Sequence, residues 1–384
     1  VIALTTEISE LAEYVLPSVL KNQATLSKDE LREIIEDSDL NTLTDNNNNF
    51  SISVAEKILK ARPLWISTVQ SAPKRIPLLQ GLFDLVVIDE ATQCDIASTI
   101  PLMYRAKKVV ILGDDKQLKP IPSIGKAQDL NFMRLHRLDL KKSARFSQST
   151  LSFFDAALRV PNVEKTFLRS QYRSAPDIVE FINEQFYAGK LNVAVDFDAL
   201  KCPPNQKPGI TWTDVKPKLD LTNDHINRAE IVETVRHIKT LLVDRKYSGS
   251  IGFITPFRAQ AFEFEKHVAL EISPQLLAKA RFKAATIDSF QGDERDLIFF
   301  SPVVSRSSTQ GAINHVTRDF RRLNVAVSRA KAVLHVFGDL EYARSNNIQI
   351  LARLAKFATR KKGRARGETT FDSEWERQVY YALI

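Results

Sequence analysis

The sequence predicts an α/β protein that contains two parallel-sheet domains. Short apolar runs recur along the 384 residues, and each ends in polar or small residues. Continuous apolar runs are typical of strands buried on both faces of a parallel sheet. Helical patterns such as 175–187 and 228–244 separate the runs, and this alternation favours α/β architecture. A stretch with no clear strand, 141–165, divides the earlier runs from the later ones.

The predicted strands and segments follow in order along the chain. The six apolar runs are LWIST (64–68), LVVIDE (85–90), VVILGD (109–114), IGFITP (251–256), LIFFSP (297–302) and VLHVFGD (333–339). Ser27 and Glu30 form the capping-box pattern of a helix start. We predict four segments: a helical insertion remnant at 1–60, the later part of a first domain at 61–160, a second domain at 161–345, and a basic linker with the start of another domain at 346–384.

Composition narrows the class of protein. The net charge is +8, which suits a polyanionic partner but is weak on its own. The two cysteines, Cys94 and Cys202, are too few for a disulfide framework or a zinc site. No apolar run is long enough for a membrane span, so we expect a cytoplasmic protein with no signal peptide. Because the chain starts at Val1 and stops inside an apolar helical pattern, we expect it to be part of a longer protein.

Two adjacent carboxylates, Asp89 and Glu90, end the apolar run LVVI. Ligands of open α/β sheets bind at the carboxyl ends of the strands. There one carboxylate can hold Mg²⁺ through water, and a second can orient or deprotonate an attacking water. A lone pair of this kind is more often a solvated strand end, so its meaning depends on the other motifs.

Further polar residues follow the other predicted strands. A glutamine after a strand can contact a γ-phosphate or the attacking water, and two arginines facing a phosphate can stabilise the charge of a transition state. The candidates are Gln117 in GDDKQLKP, Tyr172 and Arg173 in LRSQYRSAP, Gln291, Gly292 and Glu294 in TIDSFQGDERD, and Arg329 in RRLNVAVSRAK.

The motifs VIDEATQ, GDDKQLKP, LRSQYRSAP, ITPFRAQ, TIDSFQGDERD and NVAVSRAK occur in this order. Together they resemble the later motifs of superfamily 1 helicases, in the branch of the nonsense-decay and Okazaki-fragment helicases. The resemblance covers residues 62–340 and implies two RecA-like domains of the P-loop NTPase fold. It further implies an ATP-dependent helicase that uses ATP and Mg²⁺, acts as a monomer, and moves 5′→3′ on a single strand, DNA rather than RNA.

The resemblance also implies a role for each candidate. Asp89 would bind Mg²⁺ and Glu90 would be the general base. Arg173 and Arg329 would be arginine fingers. The remaining implied roles are γ-phosphate sensing by Gln93 and Gln117, adenine stacking by Tyr172, ribose contact by Glu294, cleft lining by Gln291 and Gly292, and contacts to the single strand by Ser67, Thr68, Thr255 and Pro256.

One family motif is missing. The sequence contains no G-x-x-x-x-G-K-[ST] loop, which cradles the phosphates in P-loop enzymes. We therefore expect the first domain to be incomplete at its N-terminus and the chain as given not to hydrolyse ATP. The last residues, FDSEWERQVYYAL (371–383), are similar to the opening helix of a very-short-patch-repair-like endonuclease domain, which favours a bacterial origin. An ordinary amphipathic helix explains the same pattern.

Two alternative interpretations remain open. A scaffold that binds nucleic acid without ATPase activity predicts eroded catalytic positions. A metal nuclease that uses Asp89 and Glu90 directly needs further carboxylates, for which Asp114 and Asp115 are the candidates. The motifs around these residues favour the helicase interpretation over both.

Overall fold

The computed structural model describes residues 26–43, 51–216, 219–220, 223–306, 308–317, 319–345 and 348–360. The chain forms two compact units that meet in sequence between Lys165 and Thr166, here called the N-terminal and C-terminal units. The predicted FDSEWERQVYYAL helix and the basic residues after 360 lie outside the described residues. In the described part, no helix is both long and apolar enough to cross a membrane.

The N-terminal unit is built around a pair of parallel strands. Its described helices and strands are α1 Lys28–Leu43, α2 Ile52–Ala61, α3 Ala72–Arg75, β1 Phe83–Ile88, α4 Ile96–Tyr104, β2 Ala106–Ile111, α5 Lys126–Leu135, α6 Leu140–Ser143 and α7 Phe153–Leu158. The capping box at α1 is confirmed, because Glu30 Oε2 accepts from Ser27 N at 2.7 Å and Ser27 Oγ accepts from Glu30 N at 3.2 Å. Strands β1 and β2 pair with Ile88 opposite Ile111.

The predicted strand LWIST is wrong. Residues 62–68 have no regular structure, and the Leu64 and Ile66 side chains are 81% and 93% exposed. The Thr68 hydroxyl forms a local hydrogen bond: Thr68 Oγ1 accepts from Ser71 N at 3.2 Å, which closes a turn before α3. Such side-chain bonds compete with the ladder of a sheet, and no described strand pairs with this segment.

Strand β1 buries only one of its faces, although its apolar run predicted burial on both. Ile88 packs with Ala91 and Phe153, and Val86 lies against the same cluster. On the opposite face, Leu85 and Val87 are 52% and 54% exposed. In the described part of the N-terminal unit, the pair of strands therefore has a covered face and an uncovered apolar face.

The C-terminal unit contains a five-stranded parallel sheet in the order β5-β11-β10-β8-β9. Its strands are β3 Ser170–Gln171, β4 Asn192–Val193, β5 Gly209–Asp214, β6 Leu219–Asp220, β7 Asn223–Asn227, β8 Ile251–Thr255, β9 Lys283–Thr286, β10 Arg295–Phe300 and β11 Ala330–Gly338. All residues of β8 are buried, so the apolar runs at 251–256, 297–302 and 333–339 correctly predicted buried parallel strands. The predicted α/β class is confirmed.

Helices cover this sheet. They are α8 Pro176–Phe186, α9 Arg228–Lys239, α10 Arg258–Glu271, α11 Pro274–Lys279, α12 Gln310–Thr317, α13 Phe320–Ser328, α14 Leu340–Arg344 and α15 Gln349–Ala358. Ile231 and Ile238 of α9 pack with Phe264 of α10 against Phe253 and Phe299 of the sheet. The helix predicted over 228–244 is correct in extent, but its last residues, Thr240–Asp244, form a π-helical turn.

A buried carboxylate fixes the start of α9 to the end of β10. Glu230 is fully buried and accepts from Asn227 Nδ2 at 3.0 Å and from the backbone N–H of Val303 at 3.0 Å. Ser301 Oγ also donates to it. Val303 has φ of +67°, a conformation that β-branched residues rarely adopt. The carboxylate therefore stabilises a strained turn directly after the strand.

Glu230 should make the stability of the C-terminal unit depend on pH. Burial raises the pKa of Glu230 to about 8 from its ordinary 4.5, although the bonds from Ser301 and Val303 oppose the rise. The folded state therefore holds this proton more tightly than the unfolded state, so the free energy of unfolding falls as the pH rises from 4.5 to 8.

We expect Glu230→Gln to remove this pH dependence, on the order of a few kcal/mol between pH 5 and pH 8. Denaturant unfolding at the two pH values measures it. Glu265→Gln, on an exposed position of α10, is the matched control and should retain the wild-type dependence. Equal pH profiles for wild type and Glu230→Gln would show that Glu230 does not titrate in this range.

Candidate functional site

The predicted carboxylate pair, Asp89 and Glu90, protrudes between two backbone hydrogen bonds that join the residues on either side of it to Leu112, the residue after β2. Leu112 N donates to Ile88 O at 2.9 Å, and Leu112 O accepts from Ala91 N at 2.8 Å. Ile88 and Ala91, which flank the pair, are thus both hydrogen-bonded to Leu112, directly after the neighbouring strand. Asp89 and Glu90 must therefore project from the carboxyl end of β1, where ligands of parallel sheets bind.

Glu90 adopts a strained conformation that local bonds support. Its φ is +50°, in the left-handed region that residues other than glycine rarely visit. Gln93 Nε2 donates to Glu90 Oε2 at 3.1 Å, and Asp89 Oδ1 accepts from Glu90 N at 2.8 Å. Backbone strain of this kind is often retained at functional sites. Gln93 therefore contacts the proposed base and orients its carboxylate.

Asp89 fits the role of a magnesium ligand. It is exposed at the end of the strand. Mg²⁺ keeps several waters and usually binds proteins through one or two carboxylates together with substrate phosphates. In the described part of the chain, no three His, Cys, Asp or Glu residues form a group that could hold a metal ion.

Gln117 lies in a tight turn that follows β2. Its backbone N–H bonds Asp114 O at 3.0 Å, and its side-chain amide donates to Asp114 Oδ2 at 3.1 Å. Gly113 precedes this turn, and a Cβ there would meet the Phe154 ring at 2.6 Å. Because β1 and β2 are parallel neighbours, Gln117 and Glu90 both follow strands that end at the same edge.

In the C-terminal unit, three distant parts of the sequence converge on Glu294. Arg173 Nε forms an ion pair with Glu294 Oε2, and Lys331 Nζ pairs with Glu294 Oε1. Burial acts to raise the pKa of Glu294, but the bond from Lys331 and the charges of Arg173 and Lys331 outweigh it and hold the pKa below its usual value. Glu294 is therefore ionised and orients the arginine, which adds a role to the ribose contact predicted for it.

Arg173 is positioned by residues that sequence reasoning missed. Gln171 Oε1 accepts from Arg173 N at 3.2 Å and from Ser174 N at 3.0 Å. Ser174 Oγ donates to Ala330 O at 2.7 Å, which fixes the QYRS turn to the start of β11. The sequence could have identified these residues as candidates, because Gln171, Ser174 and Lys331 all lie inside the motifs quoted above.

Gln291 and Gly292 form a turn beside this cluster. Gly292 has φ of +84°, which explains the need for glycine there. The side-chain nitrogen of Gln291 is buried and has no hydrogen-bond partner. An unsatisfied buried donor is costly, so it is a group that a ligand oxygen would satisfy. This position fits the predicted lining of a nucleotide cleft.

The other residues predicted to contact the nucleotide, Tyr172 and Arg329, differ in exposure. The Tyr172 side chain is 72% exposed, as a free stacking surface requires. Arg329 follows the end of α13 and is only 3% exposed. Its Nε donates to Val325 O at 3.2 Å and its NH1 contacts Asp293 O at 3.5 Å. In this conformation Arg329 supports the loop that carries Glu294, and direct contact with a phosphate requires its side chain to move.

The residues predicted to contact a single strand also divide by exposure. Ser67 and Thr68 are exposed, and both hydroxyls bond within their own turn. Thr255 ends β8 and is fully buried, and Pro256 after it is buried too. Pro256 O accepts from His315 Nε2 at 3.1 Å, if that nitrogen carries the proton. The first pair is thus accessible to a ligand, whereas the second is enclosed.

Two family models match the chain. One, described as an AAA domain, matches residues 149–341, and another of the same description matches 7–122. Helicase sen1 of Schizosaccharomyces pombe is 32% identical over 279 residues, which covers 69% of this chain and 15% of that protein.

Relatives occur in bacteria as well as in fungi. ATP-dependent helicase NAM7 of Saccharomyces cerevisiae is 30% identical over 296 residues, covering 74% of this chain and 28% of the relative. Uncharacterized ATP-dependent helicase MG140 of Mycoplasma genitalium is 30% identical over 295 residues, which covers 73% of this chain and 25% of that protein. The chain thus spans between 15% and 28% of the length of these three relatives. By these matches and its ordered motifs, the chain belongs to the AAA-domain superfamily 1 helicases, in the branch of its relatives NAM7 and Sen1.

Proposed function

We propose that this chain supplies the catalytic carboxylates and the arginine finger of an ATP-dependent nucleic-acid helicase. Asp89 holds Mg²⁺, which neutralises charge on the nucleotide phosphates when bound, and Glu90 accepts the proton of the attacking water. Gln93 orients the Glu90 carboxylate, and Gln93 and Gln117 sense the γ-phosphate at the edge of the first sheet. Arg173 supplies positive charge to the transferring phosphate, and Tyr172 offers its exposed ring to the adenine.

The convergence on Glu294 is the observation that carries this proposal. Residues from LRSQYRSAP, TIDSFQGDERD and NVAVSRAK meet there, with Arg173 and Lys331 both paired to one carboxylate. In the same TIDSFQGDERD motif, the side-chain nitrogen of Gln291 is buried without a hydrogen-bond partner. Clustered charges with perturbed pKa values are typical of functional sites.

The finer features of the proposal rest on family resemblance. DNA rather than RNA as the substrate, 5′→3′ movement, a monomeric state and a cytoplasmic, bacterial setting are proposed on that ground. The relatives Sen1 and NAM7 are fungal, so they do not support the bacterial origin. A nucleic-acid-binding scaffold without ATPase activity remains the second candidate, because the sequence has no phosphate-cradling loop.

The proposal is tested by ATP hydrolysis with single-stranded DNA, comparing residues 1–384 with a full-length protein that supplies a Walker-type loop. We expect hydrolysis only from the latter, because positioning of the phosphates accounts for most of the catalysis of phosphoryl transfer. Hydrolysis by residues 1–384 that Glu90→Gln abolishes would mean that the loop is dispensable. No stimulation of the full-length protein by any single strand would favour the scaffold.

Binding of a single strand should depend steeply on salt. The net charge is +8, and each phosphate contact to a single strand lowers log affinity by about 0.7 per decade of salt. Fluorescence anisotropy with labelled DNA and RNA of one sequence, between 50 and about 500 mM salt, measures the slope for each. An affinity that is the same at all salt concentrations would contradict an electrostatic mode of binding, and the ratio of the two affinities would identify the preferred nucleic acid.

A further inference from the structure

Residues 126–146 of the N-terminal unit, here called the basic segment, carry a concentrated positive charge. The segment contains six lysines and arginines and two aspartates, so it supplies +4 of the net charge of +8. It lies outside the six motifs that define the proposed ATPase site. Clustering of cations on one short segment is the electrostatic footprint of a surface that binds a polyanion. The six cations, all exposed, are Lys126, Arg134, Arg137, Lys141, Lys142 and Arg145.

The two aspartates of the segment do not pair with these cations. Asp139 caps α6, where its Oδ1 accepts from the backbone N–H of Lys141 at 2.9 Å. Asp129 is 7% exposed, and its Oδ2 accepts from Ser147 Oγ at 2.6 Å and from Ser149 Oγ at 2.8 Å. Among the described residues, none of the six cations forms a salt bridge with a carboxylate. Their charge is therefore available to a ligand.

An open pocket of about 370 Å³ lies in the same segment. Three rings line it, those of Phe132, His136 and Phe146, together with the apolar side chains of Met133 and Leu138. Phe132 and Phe146 are each 50% exposed, and His136 is exposed as well, so a ligand can reach all three rings. The buried aspartate of α5 is the one carboxylate of the lining. The pocket thus offers accessible aromatic surface inside a basic patch.

The cations and the rings belong to one surface. The Arg145 guanidinium carbon lies 4.9 Å from the centre of the Phe146 ring, within the distance of a cation–π contact. Arg137 follows His136 in sequence, and Lys142 precedes Ser143, another residue of the lining. Proteins that bind single strands combine cations along the backbone with aromatic side chains on which bases stack. Because a duplex keeps its bases stacked on each other, a pocket lined by rings suits an unpaired strand.

Hydrogen bonds fix the basic segment to the loop that carries the carboxylate pair. Ser147 and Ser149, which bond Asp129 of α5, flank Gln148 in sequence. Gln148 Nε2 in turn donates to Asp95 Oδ1 at 2.7 Å, and Asp95 caps α4 directly after VIDEATQC. The aromatic pocket therefore has a defined place in the N-terminal unit, anchored to the helix that follows the proposed magnesium site.

We propose that the basic segment binds single-stranded nucleic acid. An unstacked base lies against the rings of Phe132 and Phe146, and the adjoining phosphates lie against Arg137, Lys142 and Arg145. Three accessible rings in one pocket favour a base over the aliphatic side chains of an acidic protein segment, the other polyanion of this kind. The inference rests on the proposed function, since a helicase must hold a single strand, and it adds a contact outside the motifs.

Fluorescence anisotropy of residues 1–384 with a labelled oligothymidylate of about 20 nucleotides tests the phosphate contacts. We expect the combined variant Arg137→Ala, Lys142→Ala and Arg145→Ala to reduce the slope of log affinity against log salt by about 2, because each contact to a single strand contributes about 0.7. The matched control replaces three exposed cations of the C-terminal unit and alters the net charge equally, so its slope should stay near that of the wild type. Its substitutions are Lys190→Ala, Arg245→Ala and Lys279→Ala.

A strand without bases separates stacking from charge. Phe132→Ala should weaken the binding of oligothymidylate about fivefold to a hundredfold, the usual effect of losing one base–aromatic stack. An abasic strand of the same length should bind Phe132→Ala and the wild type equally, because it has no ring to stack. Phe132→Trp retains an aromatic ring and should bind oligothymidylate as the wild type does. Thermal melting of each variant confirms that it is folded.

The outcomes distinguish this surface from the proposed helicase function. A combined variant with the slope and affinity of the matched control would overturn the proposal, leaving the strand bound elsewhere and the exposed rings to a protein partner. An equal loss of oligothymidylate and abasic binding in Phe132→Ala would overturn the base pocket. Absence of any binding by the wild type would contradict both this surface and strand binding by the chain. Expected binding results without ATP turnover in the full-length protein would contradict the helicase function alone.

Discussion

Glu90→Gln should abolish ATP turnover in a full-length protein that supplies the phosphate-binding loop, while ATP still binds. Loss of a general base typically costs about 10²–10⁴ in rate. Glutamine retains the length of the side chain and an oxygen that accepts from Gln93, so the strained turn at +50° should persist. Binding should survive because Glu90 is proposed to contact the attacking water and not the nucleotide.

Steady-state hydrolysis and the affinity for a fluorescent ATP analogue measure the two effects separately. The matched control is Asp115→Asn, which removes a neighbouring acid that pairs with Lys116. The helicase interpretation expects near wild-type turnover from Asp115→Asn, whereas a metal nuclease that recruits Asp115 would lose its activity. Wild-type turnover in Glu90→Gln would exclude Glu90 as the base.

The order of elements was predictable because the pattern of apolar residues reflects burial. The runs 297–302 and 333–339 became β10 and β11, whose side chains are enclosed within a complete five-stranded sheet. The same reasoning failed for 64–68, where Thr68 bonds its own turn and no described strand lies alongside. A short apolar run specifies a strand only if a partner exists, and a single sequence does not state its partners.

The candidate site was predictable in its members but not in its bonds. Motif order identified Arg173 and Glu294, yet their ion pair joins residues more than 100 positions apart, and the second cation, Lys331, comes from a third motif. Both contacts depend on the fold. For Arg329, the sequence identified the residue but not its burial. The motif implied an arginine finger, whereas the structure places the guanidinium against the backbone oxygens of Val325 and Asp293. Exposure follows from packing around a residue, which local pattern does not contain.

Arg173→Ala should slow ATP hydrolysis about 10³-fold in the full-length protein, the usual scale for an arginine finger. The Arg173 side chain is 42% exposed, and an ion pair at such a site contributes little to stability because water screens it. The melting temperature should therefore change little. Arg173→Lys retains the charge but not the planar fork, and it should recover only part of the lost rate.

Arg329→Ala provides the contrast, because its residue is 3% exposed and bonded to backbone oxygens. We expect a loss of rate of similar size, about 10³-fold, if the arginine reaches the phosphate as the motif implies. Removing it also loses its bond to Val325 O, and hydrogen bonds of charged groups contribute about 1.5–3 kcal/mol to the free energy of unfolding. Hydrolysis rates and denaturant unfolding of both variants, measured side by side, separate the two roles. A variant of Arg329 that loses stability but keeps its rate would assign that arginine to the support of the Glu294 loop. A variant of Arg173 that keeps its rate would remove the arginine finger from the proposed mechanism, since Arg173 has no comparable structural task to explain its place in the motif.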